Sequence, residues 1–304
     1  MRAPISDWPR PLAYAFSGGG AFGSSHVGMF KALREWGLEP DLVVGTSVGS
    51  LNGVIVASNP ESGLTLMAEL WGAMDRRALF GHGWFRAVRN LMAEGSLSRF
   101  DQLETLIDNH LKVSTFDQLP IPFAAVATDP TTGNPEILSS GPVKPALLAS
   151  AAVPGVFPPV TIEGRTFIDG GISANVPIRQ AFDFGAKSVI ALDASPLTSP
   201  VPPRSLSAGV FQTVSLIVRN QRARAIDDLD RDYPILVLPS VTPADIGSFN
   251  FNQTDELVDN AYHSTVAALA NQVEAAASAT GAATIDSGDS NAQESGAESE
   301  VPPR

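Results

Sequence analysis

Cysteine is missing altogether from the 304 residues, which excludes disulfides, thiolate metal sites and a cysteine nucleophile. Basic residues are in short supply: 20 Lys and Arg stand against 32 Asp and Glu, a net charge of -12. A general nucleic-acid binder needs a basic face, so the expectation is an acidic protein with no nucleic-acid partner. No apolar run approaches the roughly 18 residues of a membrane span. The opening MRAPISDWPRP has no apolar core of signal-peptide length either. Both absences lead us to expect a cytoplasmic chain, any membrane contact being peripheral. Histidine is scarce too, at four, which narrows the choice of a catalytic base.

What is present is a good supply of apolar residues. They make up 44% of the chain, enough for one large α/β domain or two small ones. Short apolar runs predict strands at Leu12–Phe16, 41–44, 122–128, Arg165–Asp169, 188–194 and 234–240. Between the first two, SSHVGMFKALREWG puts Val27, Phe30, Leu33 and Trp36 on one helical face, with Gly37 as the stop. The stretch VGSLNGVIVAS reads as the next helix. This alternation predicts a three-layer α/β fold, a mostly parallel central sheet flanked by helices, with a helical insertion over residues 61–112.

Within the insertion, Trp84, Phe85, Val88, Leu91 and Met92 share a face opposite Arg86 and Arg89. That is a core stripe first, and a lid or membrane-facing helix as the second reading. A proline-rich loop follows at 195–205, then a long last helix containing DELVDNAYHSTVAALANQVEAAA. From about Ala279 periodicity ends, so a domain over 10–278 is expected to precede a disordered acidic tail over 279–304.

Two glycine-rich turns carry the chemistry. The first strand runs into SGGGAFGSSH, which contains Gly18, Gly20 and Gly23 at the spacing of a dinucleotide cradle. Such a cradle wants an acid at the end of the second strand to bind ribose. Here that strand ends Val43, Val44, Gly45, and Asp41 lies at its start. A phosphate-binding P-loop would need Gly-Lys-Ser/Thr, whereas Gly23 is followed by Ser24 and Ser25. Bare N–H groups of Gly18, Gly19 and Gly20 suit instead an oxyanion that exists only during reaction. The second turn, Gly45-Thr46-Ser47-Val48-Gly49, is a G-x-S-x-G between strand and helix, the context of a nucleophile elbow. Ser47 is the candidate nucleophile.

Serine needs a base. Of the four histidines, His26 follows the glycine loop, His82 and His110 lie in the insertion, and His263 sits in the last helix. The chain order Ser47, Asp169, His263 permits a triad. Mid-helix, however, is an unusual place for such a base. Asp169, closing a strand and followed by Gly170 and Gly171, is the better candidate. Burial would have to raise its pKa to make it effective.

At this point the chain resembles the patatin-like phospholipases over most of residues 12–240. GGGAFG is similar to their oxyanion loop and GTSVG to their elbow; ATDPTTG, ASAAVPGVFPPV and DGGISANVP follow in the family's order. The resemblance implies a Ser–Asp dyad matching Ser47 and Asp169, and hydrolysis of acyl esters of lipids with no metal or cofactor. Members commonly carry Arg or Lys within the glycine loop, where this chain has Phe22, a departure that bears on head-group preference. Two rival classes are a nucleotide-binding oxidoreductase using the glycine loop and a catalytically inactive lipid-binding module. A further Gly288-Asp289-Ser290 echoes another esterase class, but it falls in the tail with no strand before it.

Overall fold

Strand β1 (Leu12–Phe16) alternates large and small side chains, and the alternation sets the two faces of the sheet. Leu12, Tyr14 and Phe16 enter one apolar cluster, whereas Ala13 and Ala15 enter another. The computed structural model describes residues 4–76, 100–195, 233–238 and 253–286. Among these, β2 (Leu42–Thr46), β3 (Phe123–Thr128), β7 (Ser188–Leu192) and β8 (Ile235–Leu238) join β1 in the parallel order β3-β2-β1-β7-β8. Both of their faces are covered by helices, which is why they read as continuous apolar runs. Helices α1 (Ser25–Glu35), α2 (Val48–Ser58), α3 (Gly63–Arg76), α4 (Asp101–His110) and α5 (Val143–Ser150) contribute to the larger cluster. The smaller is closed by α6 (Ile178–Asp183) through Ile178 and Ala181.

The sheet is mixed, because β4 (Pro135–Leu138), β5 (Val160–Ile162) and β6 (Arg165–Asp169) run antiparallel to their neighbours. Register explains where β6 sits. Ala125 of β3 pairs with Gly45 of β2 on one edge and with Leu138 of β4 on the other. Beyond Thr46 β2 is gone, yet β4 still occupies its edge at Ala127 and Thr128. The pairs Ala127 with Asp169 and Thr128 with Ile168 therefore use the edge that β2 has vacated. The last residue of β6 thus stands where β2 would have continued.

The element bounds differ from the sequence reading in particular places. Val27, Phe30 and Leu33 are buried as expected, but Trp36 lies past the end of α1 and is 39% exposed. The last helix, α7 (Thr254–Asp286), continues beyond Ala279, where disorder was expected. Its end is rich in alanine, a strong helix former that needs no apolar stripe to stay helical. The Trp84 stripe, the proline-rich loop from residue 196 and the tail from residue 287 lie outside the described residues.

Helix α7 lies on α1, and the two approach closely at Gly28. A Cβ built there would lie 2.0 Å from the Val258 carbonyl oxygen and 2.8 Å from the Tyr262 nitrogen. Both obstacles are backbone, so the helices themselves would have to part. Gly28→Ala is expected to cost about 2 kcal/mol through overpacking, lowering the melting temperature by several degrees in a thermal unfolding scan.

Candidate active site

The chain leaves β2 at Thr46 and turns at Ser47 directly into α2. Ser47 adopts φ 55° and ψ -126°, a conformation that costs energy for any residue bearing a Cβ. Its surroundings hold it there. The Ser47 N–H donates to Ser150 Oγ at 2.9 Å, and Ser150 Oγ donates in turn to the Val126 carbonyl at 2.6 Å. The Ser47 carbonyl accepts from the Ser50 hydroxyl at 2.7 Å and the Ser50 N–H at 2.9 Å. Gly49 lets the first turn of α2 run against the end of β1; a Cβ there would lie 2.3 Å from the Phe16 carbonyl oxygen. Ser47 thereby stands at the N-terminal, positive end of α2.

Asp169 meets Ser47 because β6 occupies the edge that β2 leaves free. Ser47 Oγ donates to Asp169 Oδ2 at 2.6 Å, and the Gly171 N–H donates to Oδ1 at 2.7 Å. Main-chain contacts fix the residue on both sides: its N–H donates to Ala152 O at 2.9 Å, and its carbonyl accepts from Thr128 Oγ1 at 2.8 Å. Gly170 is needed for close approach, since a Cβ would lie 2.1 Å from the Val126 carbonyl oxygen. Asp169 is 5% exposed. Burial pushes its carboxyl up to about 6, while the bonds from Ser47 and Gly171 pull the other way. Ser47 itself is only partly buried.

None of the histidines in the described residues shares this site. His26 is fully buried, its Nε2–H donating to Leu192 O at 3.0 Å and its Nδ1 accepting from Asn52 Nδ2 at 3.0 Å. Burial pushes it down to about 3, so it is a neutral brace. Asn52 also donates to Gly23 O at 2.9 Å and accepts from Trp71 Nε1 at 3.0 Å, tying the end of the glycine loop to α2 and α3. His110 bonds back to Leu106 O at 2.9 Å within α4. His263 is exposed on α7 with its ring beside Tyr262, and bonds to neither Ser47 nor Asp169. His82 lies outside the described residues.

The glycine loop departs from expectation at its first member. The Gly18 N–H donates to Asn175 O at 3.0 Å, on the segment that follows β6, so it is not available to an oxyanion. The N–H groups of Gly19 and Gly20 donate to no protein acceptor among the described residues. Gly20 has φ +62°, the left-handed turn that glycine tolerates, and starts a short 3-10 turn, Gly20–Ser24, leading into α1. Phe22 is buried against Ala194 and Leu257, so the side chain at that position fastens the loop to α7.

Fold and elbow together place the chain among α/β proteins that present a serine at the carboxyl edge of a sheet. Within that class, the chain belongs to the patatin-like phospholipase family, whose profile matches residues 14–182. The match encloses the glycine loop, Ser47 and Asp169. An uncharacterised NTE family protein of Mycobacterium tuberculosis is 30% identical over 192 residues, 63% of this chain and 51% of the relative. A lysophospholipase NTE1 of Mycosarcoma maydis is 29% identical over 192 residues, 63% of this chain and 10% of the relative. The chain therefore spans about half the length of the mycobacterial relative and a small part of the fungal one. The crystal structure of VipD from Legionella pneumophila shares the fold, with a TM-score of 0.50 at 15% identity, covering 89% of this chain and 70% of that one.

The raised Asp169 pKa has a cost with a defined pH window. Above the unfolded value of 3.8 the buried carboxylate is ionised more readily in the unfolded chain, so stability falls as pH rises towards about 6. Asp169→Asn keeps the shape and removes the charge. Its melting temperature relative to the wild type is expected to increase from pH 4 to pH 7, by the equivalent of about 3 kcal/mol at most, as read by scanning calorimetry.

Proposed function

We propose that the protein is a serine acyl hydrolase that cleaves carboxylic esters of lipids, phospholipid or lysophospholipid acyl chains, by a Ser47–Asp169 dyad. The observation that carries this reading is the 2.6 Å hydrogen bond from Ser47 Oγ to a buried carboxylate raised to about 6. An ordinary exposed aspartate is too weak a base for the task, and the raised value brings it close to working pH. The family membership and the relative named as a lysophospholipase support the substrate class.

In the first half-reaction Ser47 Oγ attacks the ester carbonyl as its proton moves to Asp169 Oδ2. Negative charge collects on the carbonyl oxygen, where the N–H groups of Gly19 and Gly20 receive it. Collapse of the tetrahedral intermediate expels the alcohol, which takes the proton from Asp169 and leaves an acyl-Ser47. Water then attacks the acyl carbonyl, giving its proton to Asp169, and a second collapse releases the acid and returns the proton to Ser47 Oγ. Losing one oxyanion donor costs about 3 kcal/mol in such reactions.

Long acyl chains bring the substrate as an aggregate or a bilayer, so peripheral contact with a lipid surface forms part of this proposal. No helix among the described residues is long and apolar enough to cross a membrane.

Hydrolysis of a p-nitrophenyl acyl ester, followed by lipid profiling against a Ser47→Ala control, tests the reading. Ser47→Ala and Asp169→Asn are each expected to lower kcat by a factor of 1,000 or so (~10³), and His263→Ala to leave it within twofold. Because Asp169 must be ionised to act, kcat/KM is expected to fall about tenfold per pH unit below pH 6. Loss of activity in His263→Ala, with Asp169→Asn active, would replace the dyad with a histidine-dependent mechanism.

A further inference from the structure

The Gly18–Gly19 peptide is held from one side by two buried polar residues whose contacts the proposed mechanism does not use. Ser17 is fully buried and precedes the loop; its Oγ donates to the Gly18 carbonyl at 3.0 Å and accepts from the Ala194 N–H at 2.7 Å. Asn175 is 4% exposed. Its carbonyl takes the Gly18 N–H at 3.0 Å, and its Nδ2 makes a longer contact of 3.4 Å to the Gly18 carbonyl. That same Nδ2 is anchored on Ser195 Oγ at 2.7 Å, and the Ser195 N–H on Asp193 Oδ1 at 2.8 Å. The segment from Asp193 to Ser195 thereby grips the loop through two side chains, and Gly19 passes so close that a Cβ would lie 2.6 Å from the Ala194 carbonyl oxygen.

A trans peptide is planar, so its carbonyl and N–H point in opposite directions. Fixing the Gly18 carbonyl towards Ser17 and Asn175 fixes the Gly19 N–H away from them. Gly18 lies against the nucleophile, a Cβ built on it falling 3.4 Å from Ser47 Cβ. A flipped peptide would offer the developing oxyanion a carbonyl dipole of the wrong sign. We infer that Ser17 and Asn175 are positioning residues that lock the Gly18–Gly19 peptide with its N–H towards the reacting carbonyl. This rests on the dyad and oxyanion reading given above.

The two can be tested separately with a matched pair of substrates, an ester and its thionoester, in which C=S replaces C=O. Sulfur is a poor hydrogen-bond acceptor, so aligned N–H donors favour the oxygen ester, whereas damage to the dyad slows both substrates alike. The variants are Ser17→Ala, which removes the hydroxyl, and Asn175→Asp, which keeps the shape but loses the donor. Each is expected to lower kcat for the oxygen ester by about 10- to 100-fold with KM within twofold. The preference for oxygen over sulfur should shrink by the same factor. The substitutions lie on different segments, so either variant that retains a cooperative melting transition suffices. A folded variant with the wild-type preference overturns the lock alone; a wild type with no preference overturns the oxyanion reading beneath it.

Discussion

The hydrogen bond between Ser47 and Asp169 depends on a strand that stops early. β2 ends at Thr46 while β3 continues to Thr128, and the free edge of β3 is filled by β6 coming from the opposite direction. One edge therefore carries the end of β2 and then the end of β6, which sets a strand-to-helix elbow against a strand-to-turn corner. Residues 122 positions apart in the chain meet at 2.6 Å without either belonging to a flexible loop. The scaffold supplies the precision, because both side chains leave from backbone that is hydrogen-bonded on each side.

Strain and burial are tolerated at this corner because many short polar contacts share the load. Ser47 is held in its unusual backbone conformation by Ser150 and Ser50, and Asp169 by Ala152, Thr128 and Gly171. Behind the glycine loop, His26 and Asn52 form a fully satisfied network in which each polar atom has a partner. Buried polar groups without partners would be costly here, and half-satisfied ones would leave the loop free to choose other conformations. Stability and the proposed function meet most directly in Asp169, whose burial disfavours the charged form in the native state but raises the basicity on which the proposed proton abstraction rests.

Much of this was legible in the sequence, for reasons that can be traced to particular residues. The parallel strands announce themselves because burial on both faces makes them uniformly apolar, and the elbow does so because glycines flank its serine. Strands β4 and β5 escaped notice: β5 has three residues with an exposed centre, and β4 is half-buried throughout, so neither has a strong pattern. The N–H of Gly18 looked free because its acceptor, Asn175, lies 157 positions away. Ser150 and Asn175 act on main-chain atoms of distant segments, and a sequence records no such pairing. Their only local signal is that each is a polar residue within an otherwise apolar or small-residue block, ASAAVPGVFPPV and DGGISANVP respectively.

Titration of the Asp169 carboxyl, followed by carbon-13 NMR with Asp169→Asn as the assignment control, tests the central contact most directly. A midpoint near 6 in the wild type, moving upward in Ser47→Ala as the hydroxyl that stabilises the carboxylate is lost, is the expected result. A midpoint near that of an ordinary aspartate, or one indifferent to the loss of the Ser47 hydroxyl, would contradict it.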